Sequence, residues 1–195
     1  MIAWREVFAF VPPIPRWLSA LDERKPYVEV LDGRKLPPVS PHAVHGIVAI
    51  RLGHQIDLWS AGRGTAGTEV RFYFLLPTGR WSSLLPDVSF ISEERARPAD
   101  GDAWGRPRVA PDLAVEILSP DDRPSRTARK IDTYLRFGAL VVLVVDPQKR
   151  VATIHRAGVG VETRVTRGSW ALEPFDGLVL DWEEVFARLP PAPQA

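Results

Sequence analysis

The segment "RVAPDLAVEILSPDDR", residues 108 to 123, sets two carboxylates, Asp112 and Glu116, among Leu113, Val115, Ile117 and Leu118. A run this apolar reads as a buried β-strand, and a buried carboxylate without a partner is costly. A cation, an arginine or a hydrogen-bond network must therefore meet each acid. Side chains two apart on a strand share a face, so Asp112, Ala114 and Glu116 point one way and Leu113, Val115 and Ile117 the other. At about 3.3 Å per residue the two acids stand roughly 13 Å apart, too far to share one ion. A metal at Glu116 needs a second carboxylate from a neighbouring strand, and Asp87, opening "PDVSF", supplies one.

Each of these residues also has a plainer reading. An Asp after Pro is commonly a turn or capping residue, which covers Asp87 and Asp112 taken singly. Glu116 sits inside "LAVEIL", where a purely structural glutamate would need a buried Arg. His45 is within reach of the sheet from the first long helix, but a lone helical histidine is more often packed or on the surface. Tyr134 lies one turn beyond Lys130 on the same helix face, and core packing is its simpler role. For Lys130 the simpler role is solvent exposure in "RTARK", where Arg123, Arg126 and Arg129 could equally form a phosphate-tracking face.

The elements that must position these residues follow from pattern and punctuation. A short helix is expected around residues 14 to 23, and "YVEVLDGRKL" should form a hairpin turning at Asp32-Gly33. Ser40 as N-cap, Pro41 at the first helical position and apolar Val44, Ile47, Val48, Leu52, Ile56 and Trp59 predict an amphipathic helix. "TEVRFYFLL" and "PDVSFIS" read as strands separated by "PTGRWSSLL", and Glu93 to Val109 as a mobile surface loop. After the strand at 112 to 118, "SPDDRPSRTARKIDTYLRFG" predicts a helix ending at Gly138, and "ALVVLVVDP" a buried strand. "RVATIHRAGVGVETRVTRGSWAL" reads as an antiparallel meander and "DWEEVFARL" as a terminal helix. The order from 41 to 146 is thus helix, three strands, helix, strand. This is an α/β (α+β) fold with a central mixed sheet flanked by helices.

Bulk properties narrow the class. The 195 residues suit a single domain, 1–195, with a core at about 41–146, an N-terminal helix and hairpin at 1–40, and a meander and helix at 147–188. A hydrophobic share of 45% with 25% charged residues excludes general disorder, and a net charge of +1 excludes a strongly cationic DNA-coating protein. The absence of cysteine excludes thiol catalysis, thiolate metal sites and disulfides, and makes the reducing cytoplasm the expected location. No apolar run is long enough to span a bilayer, so no membrane partner is expected.

Taken together, "YVEVLDG", "SPHAVH" leading into a helix, "PDVSF", "PDLAVEILSPDDR", a Lys and a Tyr in the next helix, and "VVDP" closing a strand resemble the Uma-type family of restriction endonucleases, within the PD-(D/E)XK nuclease superfamily. The resemblance runs from about residue 27 to 150. It implies a restriction-endonuclease-like core and an Mg²⁺- or Mn²⁺-dependent site hydrolysing DNA phosphodiester bonds. Asp87 and Glu116 would be catalytic acids and metal ligands, joined by a backbone carbonyl near Ile117. The superfamily lysine would fall two residues after the glutamate, where this chain has Leu118; in the family it has moved to the following helix, and Lys130 is the matching residue. Glu29 and His45 are candidate auxiliaries, as are Tyr134 and Asp112, the latter ordering either the strand entrance or Lys130. Oxygen ligands suit a hard cation, and a lysine point charge suits a developing phosphorane.

Two rival readings stand beside this one. The chain could keep a nuclease fold as a scaffold for nucleic-acid or protein binding, which Leu118 supports, or it could hydrolyse another phosphate ester. A homodimer or higher homo-oligomer is expected, because a 21.8 kDa domain offers little surface to both strands of a duplex and twofold closure is commonest.

Overall fold

A computed structural model describes residues 12–23, 27–37, 43–96 and 107–189. The N-terminal helix is one turn, α1 (Arg16–Ser19), followed by a 3₁₀ turn at Ala20–Glu23. The hairpin forms as β1 (Val30–Leu31) and β2 (Arg34–Lys35), with Asp32 and Gly33 both at positive φ in its turn. The first long helix is α2 (Ala43–Ser60), whose Val48, Leu52 and Ile56 recur every fourth residue and are buried. Its expected cap, Ser40 and Pro41, lies outside the described residues.

The strands depart from expectation in one place. "TEVRFYFLL" is not one strand: β3 (Gly64–Thr68) ends where Glu69 takes φ 52°, and the chain resumes as β4 (Phe72–Leu75) in a different sheet. "WSSL", expected to be a connection, is β5 (Trp81–Leu84), and its two serines are wholly buried. They are tolerated there because Ser82 Oγ accepts from the Asp32 N–H at 2.8 Å and Ser83 Oγ from Arg71 Nη1 at 2.8 Å. β6 (Val88–Ser92) is followed by a one-turn helix, α3 (Glu93–Ala96), at the start of the segment expected to be loop. The loop assignment at 97–106 lies outside the described residues.

β7 (Leu113–Ile117), α4 (Pro124–Arg136) and β8 (Val141–Asp146) form a parallel strand–helix–strand unit, with Leu113 opposite Val141 and Ile117 opposite Val145. α4 stops before Gly138, which takes φ +97° as a left-handed terminus requires. β9 (Val151–Arg156) and β10 (Gly160–Val165) complete a six-stranded sheet ordered β10-β9-β8-β7-β6-β3. The expected meander does not continue: β11 (Ser169–Ala171) pairs instead with β12 (Val179–Asp181) in a separate ribbon. The terminal helix α5 (Trp182–Val185) is shorter than expected, with Asp181 Oδ1 accepting the Glu184 N–H as its cap.

The expected helix, three-strand, helix, strand order is therefore present in the large sheet as α2, β3, β6, β7, α4, β8, with the β4–β5 hairpin inserted after its first strand. That hairpin joins β1 and β2 in a four-stranded sheet ordered β2-β1-β5-β4. β7 alternates as its sequence requires. Leu113, Val115 and Ile117 pack with Val48, Leu52 and Trp182 on one face of the large sheet. On the opposite face Ala114 packs with Val142 and Tyr134, and with Phe72 and Phe74 of the small sheet.

Candidate active site

Glu116 stands near the end of β7 on the face covered by α4. Lys130 and Tyr134, one helical turn apart on α4, both point back at it: Lys130 Nζ donates to Glu116 Oε2 at 2.5 Å and the Tyr134 hydroxyl to Oε1 at 2.9 Å. All three side chains are buried. Lys130 Nζ also lies 3.0 Å from Glu29 Oε1, and that oxygen accepts the Leu85 N–H at 2.8 Å, which ties the N-terminal hairpin to α4. Asp87 opens β6 beside the same strand end. Its Oδ2 accepts the Ile117 N–H at 2.6 Å, and its Oδ1 lies 3.1 Å from His45 Nε2 in the first turn of α2.

Five of the residues singled out in the sequence thus meet around one cleft of about 160 Å³, whose lining includes Glu29, His45, Asp87, Glu116 and Lys130. Tyr134 reaches Glu116 from within the core and does not line the cleft. Asp112 is not among them. It sits at the other end of β7, where its carboxylate accepts the Ser92 N–H at 2.7 Å and Arg95 Nη1 at 3.3 Å. Arg95 also donates to the Ala110 and Gly138 carbonyls, so the Asp112–Arg95 pair fastens the strand entrance. The two acids of β7 therefore have two different partners, an arginine for Asp112 and a lysine for Glu116.

Burial sets the electrostatics. It pushes the Glu116 carboxyl up to about 8, with Lys130 pulling it down and the charges of Glu29 and Asp87 adding to the rise. Burial also disfavours the Lys130 ammonium, but Glu116, Glu29 and Asp87 together outweigh it, so its pKa is raised and it stays charged. Burial likewise acts against charge on His45, and the hydrogen bond to Asp87 reverses that into a net rise. The Tyr134 phenol is raised well above its ordinary value by burial and by Glu116, so it remains a donor.

The cleft wall also carries Glu69, Asp122 and Arg126. Asp122 drew no reading of its own in the sequence; its Oδ2 accepts the Ser119 N–H at 2.7 Å. Glu69 was hidden in what read as a continuous strand. Of the three arginines considered for phosphate tracking, Arg126 alone lines the cleft, whereas Arg129 approaches Asp32 at 3.9 Å. The lining thus holds five carboxyl side chains, Glu29, Glu69, Asp87, Glu116 and Asp122, against two strong bases, Arg126 and Lys130. Among the described residues no group of three or more His, Asp or Glu side chains is arranged as a ready metal cage.

A family model described as "Putative restriction endonuclease", Uma2, matches residues 14–189. The chain belongs to the Uma2 family. Five solved chains also match. One is a crystal structure described as a putative nuclease belonging to DUF820 from Anabaena variabilis, 23% identical, with a TM-score of 0.73, covering 89% of this chain and 98% of its own. That likeness shows a shared fold. No curated protein matches. No described helix is long and apolar enough to cross a membrane.

Proposed function

We propose that this Uma2 protein is a metal-dependent endonuclease hydrolysing DNA phosphodiester bonds at the Asp87–Glu116–Lys130 cleft. The observation that carries the reading is the convergence of two carboxylates from adjacent antiparallel strands with a buried, permanently charged lysine from the following helix. The charge balance supports it. A cleft with five carboxyl groups and two strong bases repels a phosphodiester unless a cation accompanies it. Hard oxygen donors suit Mg²⁺ or Mn²⁺, and Mg²⁺ typically takes one or two carboxylates while keeping water and substrate phosphate as its other ligands, so a full protein cage is not required.

Asp87 and Glu116 would hold the cation, which when bound supplies Lewis-acid neutralisation of the phosphate and a lowered pKa for water. His45 fixes one oxygen of Asp87 and the Ile117 amide the other, so this carboxylate is oriented before anything binds. Lys130 holds its proton throughout and places a point charge where negative charge grows on the phosphorane. Glu29 keeps the ammonium in position from the opposite side. Arg126 and Thr127 on the cleft wall can donate to flanking phosphate oxygens.

The test is calorimetric titration of Mg²⁺ and Mn²⁺ into wild type, Asp87→Asn and Glu116→Gln, alongside cleavage of duplex DNA. Loss of both binding and cleavage in each variant is expected. Equal metal binding by all three would remove the shared site, and a wild type that binds DNA without cleaving it under any metal would favour the scaffold reading.

A further inference from the structure

The six-stranded sheet has two edges. β3 lies at one, against α2, and β10 forms the other, where among the described residues no strand pairs with its outer side. On β10, Val161 and Val165 are 65% and 61% exposed, and Val159 just before it is 77% exposed. Edge strands are normally blunted by charged side chains, lysine above all, by proline or by a bulge, because their free backbone groups template pairing. β10 contains neither lysine nor proline, its two charges are of opposite sign and paired within the chain (Arg164 Nε to Glu162 Oε1 at 2.5 Å), and its register with β9 is unbroken from Gly160 to Val165, so no bulge turns it away.

Its sequence is self-complementary. "VETRV", residues 161 to 165, runs valine, acid, threonine, base, valine about Thr163. Laid antiparallel to a second copy with the twofold axis at Thr163, Val161 faces the partner's Val165, Glu162 faces the partner's Arg164, and Thr163 faces its own counterpart. Opposite charges and apolar pairs placed directly across an antiparallel ladder are stabilising, and a one-residue slip would lose both. We infer that the protein forms a twofold dimer through β10, joining two six-stranded sheets into one of twelve strands.

The register adds a consequence for the site. Glu116 pairs with Val144, Val144 with Thr153 and Thr153 with Thr163, so Glu116 lies level with the axis. The two Glu116 residues would then be seven strand spacings apart, about 34 Å in a flat sheet at roughly 4.8 Å per spacing. The axis is normal to the sheet at the seam, and the usual twist of about 20–25° per strand turns the two clefts away from that normal in opposite senses, so they would address separate stretches of a ligand. This consequence rests on the proposed nuclease reading, whereas the dimer does not.

Sedimentation velocity at tens of micromolar tests the interface without any activity assay. Wild type should sediment at twice 21.8 kDa. Val161→Lys/Val165→Lys should sediment as a monomer with an unchanged unfolding temperature, since both positions are exposed. Val161→Lys/Val165→Glu, in which unlike charges face each other, should return to the dimer mass. The natural chain has no cysteine, so Thr163→Cys provides a register probe. Directly opposed residues lie about 4.5–5.5 Å apart, within disulfide reach, so mild oxidation should cross-link Thr163→Cys but not Val161→Cys. A monomeric wild type, a dimer that persists in the double-lysine variant, or equal cross-linking of the two cysteine variants would overturn the proposal.

Discussion

Glu116 answers to two environments at once: a buried carboxyl raised to about 8, and a strong pair with the Lys130 ammonium. Its folded pKa lies above the ordinary value of 4.5, so between those values the folded protein holds the proton more tightly than the unfolded chain. Stability of the metal-free protein should therefore fall as pH rises from about 5 to 8, by at most about 1.4 kcal/mol per pH unit from this group. His45, also raised, acts in the same direction near neutrality. Chemical denaturation of wild type and Glu116→Gln across that range should show a flatter profile in the variant; parallel profiles would mean that Glu116 does not titrate there. Lys130 offers a second check. Above about pH 8, where Glu116 is ionised, Lys130→Ala strands Glu116 and Glu29, so the metal-free variant should lose about 3–5 kcal/mol, the usual cost of breaking a buried pair, and less at lower pH where Glu116 holds a proton. Because a competing positive charge has gone, its Mg²⁺ affinity should equal or exceed that of wild type, and saturating metal should restore much of its melting temperature. A stable variant with weakened metal binding would contradict this. The acids and Lys130 were legible because charges in apolar or arginine-dominated surroundings demand explanation. The helix after β7 had to begin over the strand end that carries Glu116, which brings Lys130 within reach of the site; the direct Lys130–Glu116 pairing is fixed by which face of α4 meets β7, and sequence leaves that face open.

At the level of elements, β7 works at both ends. The Asp112–Arg95 pair anchors its entrance and Glu116 serves its exit. Arg95→Ala should cost about 1–3 kcal/mol, because Asp112 keeps only its bond from the Ser92 N–H, yet Mg²⁺ titration should be unchanged. A loss of metal affinity in that variant would tie Asp112 to the site after all. On α4, Tyr134→Phe removes one hydrogen bond to Glu116, and thermal denaturation should register a loss of about 1–2 kcal/mol with cleavage reduced far less than in Lys130→Ala. The alternation of β7 and the stop of α4 at Gly138 could be read directly, because burial on two faces and a left-handed terminus leave strong local patterns. The split between β3 and β4 could not. The residues on either side are equally strand-like, and the turn depends on Glu69 adopting a positive φ that its type does not announce. The buried serines of β5 misled for a related reason: their partners, the Asp32 amide and Arg71, are distant in sequence.

For the whole molecule, two sheets divide the labour. The six-stranded sheet carries Asp87 and Glu116, while the small sheet, with the segment before β1, delivers Glu29 to Lys130 and packs Phe72 and Phe74 with Tyr134 of α4. The order of elements foretold a mixed fold and the absence of cysteine excluded thiol chemistry, but the second sheet was invisible because its strands are short and the 36 residues between Lys35 and Phe72, with α2 and β3 among them, divide it. On the proposed reading, this assembly hydrolyses DNA with a bound cation and a helix-borne lysine. The most direct test is the rate of Mg²⁺-dependent cleavage of duplex DNA by wild type, Lys130→Ala and Lys130→Arg at saturating metal, with metal occupancy measured in the same samples. Wild type should cleave in a reaction that chelator abolishes, Lys130→Ala at full occupancy should cleave about 10²–10³ more slowly, and Lys130→Arg should restore the rate only in part. Cleavage by Lys130→Ala at the wild-type rate, or no cleavage by a fully metal-loaded wild type, would contradict that reading.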